Sequence, residues 1–239
     1  MTQHDPALEV TGLEVRYSGV PAVKGISFTV GRGETVGLIG PNGAGKSSTL
    51  QALMGAVRST GTVRLAGTDI TGLAPENVIR RGLALVPEGR HIFGDLSVRN
   101  NLRLGLVGRR DSAGSTEDLD GVLELFPILR EFESRAAGLL SGGQQQQLAI
   151  GRALLARPDV LMLDEPSLGL SPTAVDTVFE ALQAVRAQGT SVLVVEQRAE
   201  FTIAFADRTY VLHDGEITLE LSPEAAGDED LLTKAYFGS

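Results

Sequence analysis

At 239 residues, 42% hydrophobic and 21% charged, the chain has the size and composition of a globular protein with a sizeable core. A net charge of −9 argues against a nucleic-acid backbone as its main partner, and the absence of cysteine excludes disulfides and thiolate metal sites, in keeping with a reducing compartment. No apolar run is long enough to span a bilayer, and the first residues lack the charged and apolar regions of a signal peptide, so a cytoplasmic protein is expected.

Strand-like runs open the chain at residues 8–17, 26–30 and 34–39. Directly after the third stands Gly40-Pro41-Asn42-Gly43-Ala44-Gly45-Lys46-Ser47, which fits the phosphate-loop pattern G-x-x-x-x-G-K-[S/T], and a helical pattern follows from Ser48. Glycines let the backbone aim successive N–H groups at phosphate oxygens, and the helix adds the positive end of its dipole. Lys46 can reach the β- and γ-phosphates and the Ser47 hydroxyl can ligate Mg²⁺. Strand patterns at 62–65 and 83–87 come next. Residues 97–157 then read as helical, with the polar stretch 109–116 as a solvent-exposed loop, which together look like an inserted helical lobe.

Within that lobe, Ser141 and Gln144 form an S-x-x-Q capping box that opens a helix running to Arg157, before Pro158. Gly142 and Gly143 sit in its first turn, where each costs about 1 kcal/mol against alanine. Their exposed N–H groups make a second anion site. A head-to-tail dimer would let the loop of one chain and the capped helix of the other grip one nucleotide. Strand patterns return at 160–163, ending in Asp164-Glu165, and at 191–195, followed by Glu196-Gln197. Asp164, at a strand's C-terminal end, is placed to serve Mg²⁺, and Glu165 to act as a base or orient water. A hairpin turning at Asp214-Gly215 is expected last.

The phosphate loop, Leu140-Ser141-Gly142-Gly143-Gln144 and Leu163-Asp164-Glu165-Pro166 stand in the order and approximate spacing of ATP-binding-cassette (ABC) ATPases, which nearly the whole chain resembles. The resemblance implies an α/β fold: a P-loop NTPase (RecA-like) core with an antiparallel β subdomain and an inserted helical subdomain. It places one domain over 7–238, with the core at 7–87 and 158–221, the helical subdomain at 88–157 and a helical tail at 222–239. It also implies ATP and Mg²⁺ as cofactors, a dimer closing on two nucleotides, and a seat on the inner face of the membrane beside permease subunits.

Residue by residue, Tyr17 matches the aromatic that stacks on adenine. Glu88 stands where the family usually has a glutamine near Mg²⁺ and the membrane subunit. Gln197 replaces the usual γ-phosphate histidine, and Ser171 stands where many members have an aspartate. Val86-Pro87-Glu88-Gly89-Arg90, Glu165-Pro166-Ser167-Leu168-Gly169-Leu170 and Val195-Glu196-Gln197 are similar to the second ATPase (LivF type) of branched-chain amino acid importers, with Arg198 departing from its asparagine. That branch implies a second, different cassette ATPase, with a second copy of this chain as the alternative, and indirectly an external binding protein. Urea or short-amide importers, exporters and soluble ABC proteins are the alternatives, and Arg90-His91-Ile92-Phe93 is the expected permease-facing surface.

Overall fold

The computed structural model describes residues 6–111 and 113–227. Its chain starts with two long antiparallel strands, β1 (Leu8–Tyr17) and β2 (Val20–Val30), and enters the centre of a second sheet as β3 (Thr35–Ile39). Helix α1 (Lys46–Leu53) follows, then β4 (Ser59–Leu65), the short β5 (Thr68–Asp69), α2 (Pro75–Arg81) and β6 (Leu83–Val86). Helices α3 (Val98–Gly105), α4 (Ser115–Leu125), α5 (Pro127–Glu131) and α6 (Gly142–Leu154) come before β7 (Val160–Asp164). The remainder is α7 (Pro172–Ala187), β8 (Ser191–Glu196), α8 (Ala199–Phe205), β9 (Arg208–His213) and β10 (Glu216–Leu221).

Two sheets result. The smaller, in the order β2-β1-β4-β5, is antiparallel throughout. The larger runs β10-β9-β3-β8-β7-β6, parallel except for its β10 edge. Strands β3, β7 and β8 are buried along their whole length, which is why they read as unbroken apolar runs and not as alternating ones. One face of this sheet (Val36, Leu38, Met162, Leu193, Val195) packs on α1 and the small sheet. The other (Leu161, Leu163, Val192, Val194) packs on α7 and shares its core with α3, α4 and α6. This is the expected P-loop NTPase core, with an antiparallel sheet beside it and the helices between β6 and β7 as the insertion.

Several boundaries differ from the sequence reading. Strand β2 begins six residues before Ile26, because Pro21 is tolerated on the sheet's edge and Gly25 lies at an irregularity in the β1 pairing. Helix α6 stops at Leu154 and not at Arg157, whose φ of +51° precedes Pro158. Nor is the polar stretch 109–116 wholly exposed: Arg109 is buried on Asp118 at 2.6 Å, and α4 already starts at Ser115. Of the expected tail, a 3₁₀ turn at Pro223–Gly227 is seen and 228–239 lie outside the described residues.

Candidate active site

The sheet brings the candidate residues to one edge. Lys46 and Ser47 follow β3, Glu88 follows β6, Asp164 ends β7 with Glu165 after it, and Gln197 follows β8; all lie at the C-terminal ends of parallel strands. Asn42, Gly43, Gly45, Lys46, Ser47, Ser48, Glu88, Glu165 and Gln197 line one cleft of about 400 Å³.

The loop can take its shape only because its glycines lack side chains. At Gly45, with φ +106°, a Cβ would sit 2.4 Å from the Ala22 carbonyl oxygen of β2. The β9–β10 turn braces the loop as well, since the Gly215 N–H donates to the Ala44 carbonyl at 2.9 Å. The hairpin expected from Asp214-Gly215 is thus present and supports the site.

Lys46 is 5% exposed, and its Nζ donates to the carbonyls of Gly40 at 2.8 Å and Pro41 at 3.2 Å, with Glu165 Oε1 at 3.7 Å. The Ser47 hydroxyl donates to Asp164 Oδ1 at 3.3 Å. Burial pushes the Asp164 carboxyl up to about 6; the charges of Glu165 and Glu88 add to this, while the Ser47 hydrogen bond and Lys46 oppose it. Neighbouring ligands on an octahedral Mg²⁺ at roughly 2.1 Å stand about 3 Å apart, so these two oxygens are spaced to share one. No cluster of three or more His, Asp or Glu side chains able to hold a metal occurs among the described residues. An ion on Ser47 and Asp164 would therefore complete its shell with phosphate and water oxygens, as Mg²⁺ commonly does.

Glu165 itself is unusual, a non-glycine residue at φ +48°. Its N–H donates to the Val195 carbonyl at 2.8 Å, and its carbonyl accepts from Leu168 at 3.1 Å. The next turn is fastened by Glu196, whose Oε1 accepts from the Ser167 N–H at 2.8 Å and whose Oε2 accepts from the Gln197 N–H at 3.2 Å. Tyr17 does not line the phosphate cleft. It ends β1, 44% exposed, and its hydroxyl donates to Gln51 of α1 at 3.3 Å, which holds the ring beside the helix that leaves the loop.

Ser141, Gly142, Gly143 and Gln144 lie apart from the phosphate loop, at the start of α6. The capping box is complete: the Gln144 N–H donates to Ser141 Oγ and the Ser141 N–H to Gln144 Oε1. Both of these amides are thus spoken for within the chain. Those of Gly142 and Gly143, in the same first turn, have no acceptor within the helix, which is the arrangement that suits an anion. The glycines also serve packing, because a Cβ on Gly143 would stand 2.8 Å from Ala174 Cβ in the first turn of α7. Ser171 N-caps that helix, accepting from Ala174.

Arg90 is the residue sequence reasoning left without a role here. Its guanidinium donates to Gln145 Oε1 of α6 and to the Leu168 carbonyl, both at 3.4 Å, and so links the start of α6 to the turn that follows Glu165. Beside it Arg152 donates to the carbonyls of Arg90 and His91 and lies over the Phe93 ring, 5.8 Å from its centroid.

Comparison with known proteins agrees with this geometry. The family model described as "ABC transporter" matches residues 23–168. A branched-chain amino acid transport ATP-binding protein, BraG of Pseudomonas aeruginosa, is 42% identical over 93% of this chain and 95% of its own. The lipopolysaccharide export ATP-binding protein LptB of Escherichia coli K12 is 34% identical over 97% of both. Among solved structures, the ADP form of MJ1267, an ATP-binding cassette of an ABC transporter, superposes with a TM-score of 0.87 at 26% identity, covering 98% of this chain and 99% of that one.

Proposed function

This chain belongs to the ABC transporter ATPases, and on that premise we propose that it powers an importer of branched-chain or other hydrophobic amino acids. It is an ATP-binding, ATP-hydrolysing cassette of the LivF/BraG type, and such cassettes dimerise and work with membrane permease subunits. The observation that carries the importer reading is the 42% identity to BraG along nearly the full length of both chains. Val86-Pro87-Glu88-Gly89-Arg90 and Val195-Glu196-Gln197 support the same branch. LptB, at 34%, keeps an exporter as the second reading.

In this proposal Lys46 and the loop amides from Asn42 to Ser47 hold the β- and γ-phosphates, with Ser48 behind them and Tyr17 against the base. Mg²⁺ on Ser47 and Asp164 would neutralise phosphate charge, with Glu88 nearby. Glu165 orients or deprotonates the attacking water. When the γ-phosphate takes up the Lys46 charge, Glu165 is released from its 3.7 Å contact to serve that water. Gln197 donates an amide hydrogen bond to the γ-phosphate; unlike histidine it cannot become charged or pass a proton. The Gly142 and Gly143 amides of a partner cassette close the site.

The same proposal extends to the organisation of the chain and to its partners. The core occupies 7–87 and 158–221, the helical subdomain 88–157 and the tail 222–239. No described helix is long and apolar enough to cross a membrane, and attachment to the inner face of the membrane runs through permease subunits. A groove of about 370 Å³ lined by Met54, Ile79, Leu85, Phe93, Leu104 and Arg152 offers the docking surface, with Phe93 54% exposed. The second cassette is a different chain, as in such importers, and an external binding protein delivers the substrate.

A mild-detergent pull-down of the tagged chain from its own membranes tests this directly. Recovery of two permease subunits, a second cassette and a binding protein that takes up leucine, isoleucine or valine is expected. Recovery with lipopolysaccharide-export components, or a binding protein selective for urea or short amides, would replace the substrate assignment. In the recovered complex, Glu165→Gln should lower turnover at least a hundredfold and trap ATP in a closed dimer; retained turnover would remove Glu165 from the chemistry.

A further inference from the structure

We propose that Glu196 is a positioning residue for hydrolysis, whose buried carboxylate sets the backbone of Glu165 and Gln197 together. The inference rests on the ATPase reading above and deepens it. Glu196 is the last residue of β8 and is 2% exposed, and no basic side chain pairs with it among the described residues. A carboxylate so placed is held by the N–H groups that its two oxygens accept. Those belong to Ser167, two residues beyond Glu165, and to Gln197.

Both groups proposed to face the γ-phosphate are thereby referred to one rigid point. Glu165 occupies a left-handed conformation that a side chain rarely adopts, and such a conformation persists only where the surroundings over-determine it. Two backbone bonds supply part of that constraint, from the Glu165 N–H to Val195 and from the Leu168 N–H to Glu165. Glu196 gives the side-chain fastening of the same turn and, through its other oxygen, ties it to the residue that follows β8. A glutamine here keeps one acceptor but turns an NH₂ group toward the second N–H. An aspartate keeps the charge and falls short of spanning both.

The test uses the full chain in its transporter complex. Glu196→Gln and Glu196→Asp are compared with Glu34→Gln, a variant in the Arg208 ion-pair network remote from the site, matched for thermal midpoint. The expected result is a kcat roughly ten- to a hundredfold lower in both Glu196 variants, with KM and Mg²⁺–ATP affinity within twofold of the parent. Glu34→Gln should keep its kcat. In a Glu165→Gln background the Glu196 substitutions should cost clearly less than in the parent, since the share that acts through Glu165 is already lost and only the share through Gln197 remains. If Glu196→Gln does not accumulate as folded protein, Glu196→Asp is judged by the same criteria. An unchanged kcat, a fall matched by Glu34→Gln, or a full additional loss on top of Glu165→Gln would overturn the proposal. A parent complex without ATPase activity would instead remove the reading on which it stands.

Discussion

Replacing Gly143 by alanine sets two well-characterised effects against each other. On helix propensity alone the change gains up to about 1 kcal/mol. The new methyl carbon, however, would stand 2.8 Å from Ala174 Cβ, where carbon atoms normally meet at roughly 3.5–4.0 Å. A Cβ cannot rotate away, so α6 and α7 have to separate by most of an ångström. Overpacking of this kind costs about 1–3 kcal/mol, and the net expectation is a loss of about 1 kcal/mol. Ala174→Gly removes the opposing methyl, so the double variant should relieve the clash, its propensity cost in α7 roughly offsetting the gain in α6. Urea unfolding of the four proteins, with the slope checked for constancy, reads a coupling of about 1–2 kcal/mol. A stabilised Gly143→Ala, or a coupling under about 0.5 kcal/mol, would refute the packing argument. In a Glu165→Gln background the single variant should also weaken the ATP-trapped dimer, because the displaced helix start carries the Gly142 and Gly143 amides.

Asp164 gives a dependence on pH: with its carboxyl near 6, Mg²⁺-dependent ATP binding should be flat above neutrality and fall toward tenfold per pH unit below about 6. The folded value lies above the ordinary 3.8, so without metal this group favours folding in acid and loses that contribution as pH rises through 6. Asp164→Asn should therefore raise the thermal midpoint of the metal-free chain at pH 7–8 and leave it nearly unchanged near pH 4. Arg208, held by Glu34 at 2.6 Å and by the Thr29 carbonyl at 2.8 Å, fastens the two sheets; Arg208→Met should cost about 2 kcal/mol and lower the midpoint by roughly 5 °C in calorimetry. Gln197→His should raise turnover at the site that carries it, measured in a mixed dimer with the partner cassette; equal turnover before and after would argue against unequal sites.

Much of this molecule was legible in its sequence, because its parallel core writes itself as unbroken apolar runs. Strands β3, β7 and β8 were placed to within a residue, and the capping box named the first residue of α6. The positions of the phosphate loop, Asp164-Glu165 and Gln197 were legible for the same reason: each stands where an apolar run stops. What was missed depends on contacts between distant segments. Helix α2 has only seven residues, and its signals, Pro75 at the start and Gly82 just past the end, are weak without a long periodic stretch between them. The first half of β2 was hidden by Pro21, which only its edge position excuses. Arg109 reads as one more charge in a polar loop until Asp118 is seen to fold back on it. Arg90 and Glu196 were both in plain view, inside quoted motifs. Their partners lie 55 to 78 and 29 residues away for the distant bonds, and no local pattern announces that.

The meeting of Gly143 with Ala174 also has a consequence for timing. In a head-to-tail dimer each cassette serves two nucleotides, presenting its α6 start to one and its Glu165 turn to the other. Those two ends are not independent limbs of the chain. They touch where α6 and α7 begin, and Arg90 ties them a second time. Any rearrangement of the turn after one nucleotide is cleaved is therefore felt, within the same subunit, by the amides that grip the other. If the two sites are unequal, as Gln197 would make them, the contact between the helix starts is the route by which the state of one reaches the other.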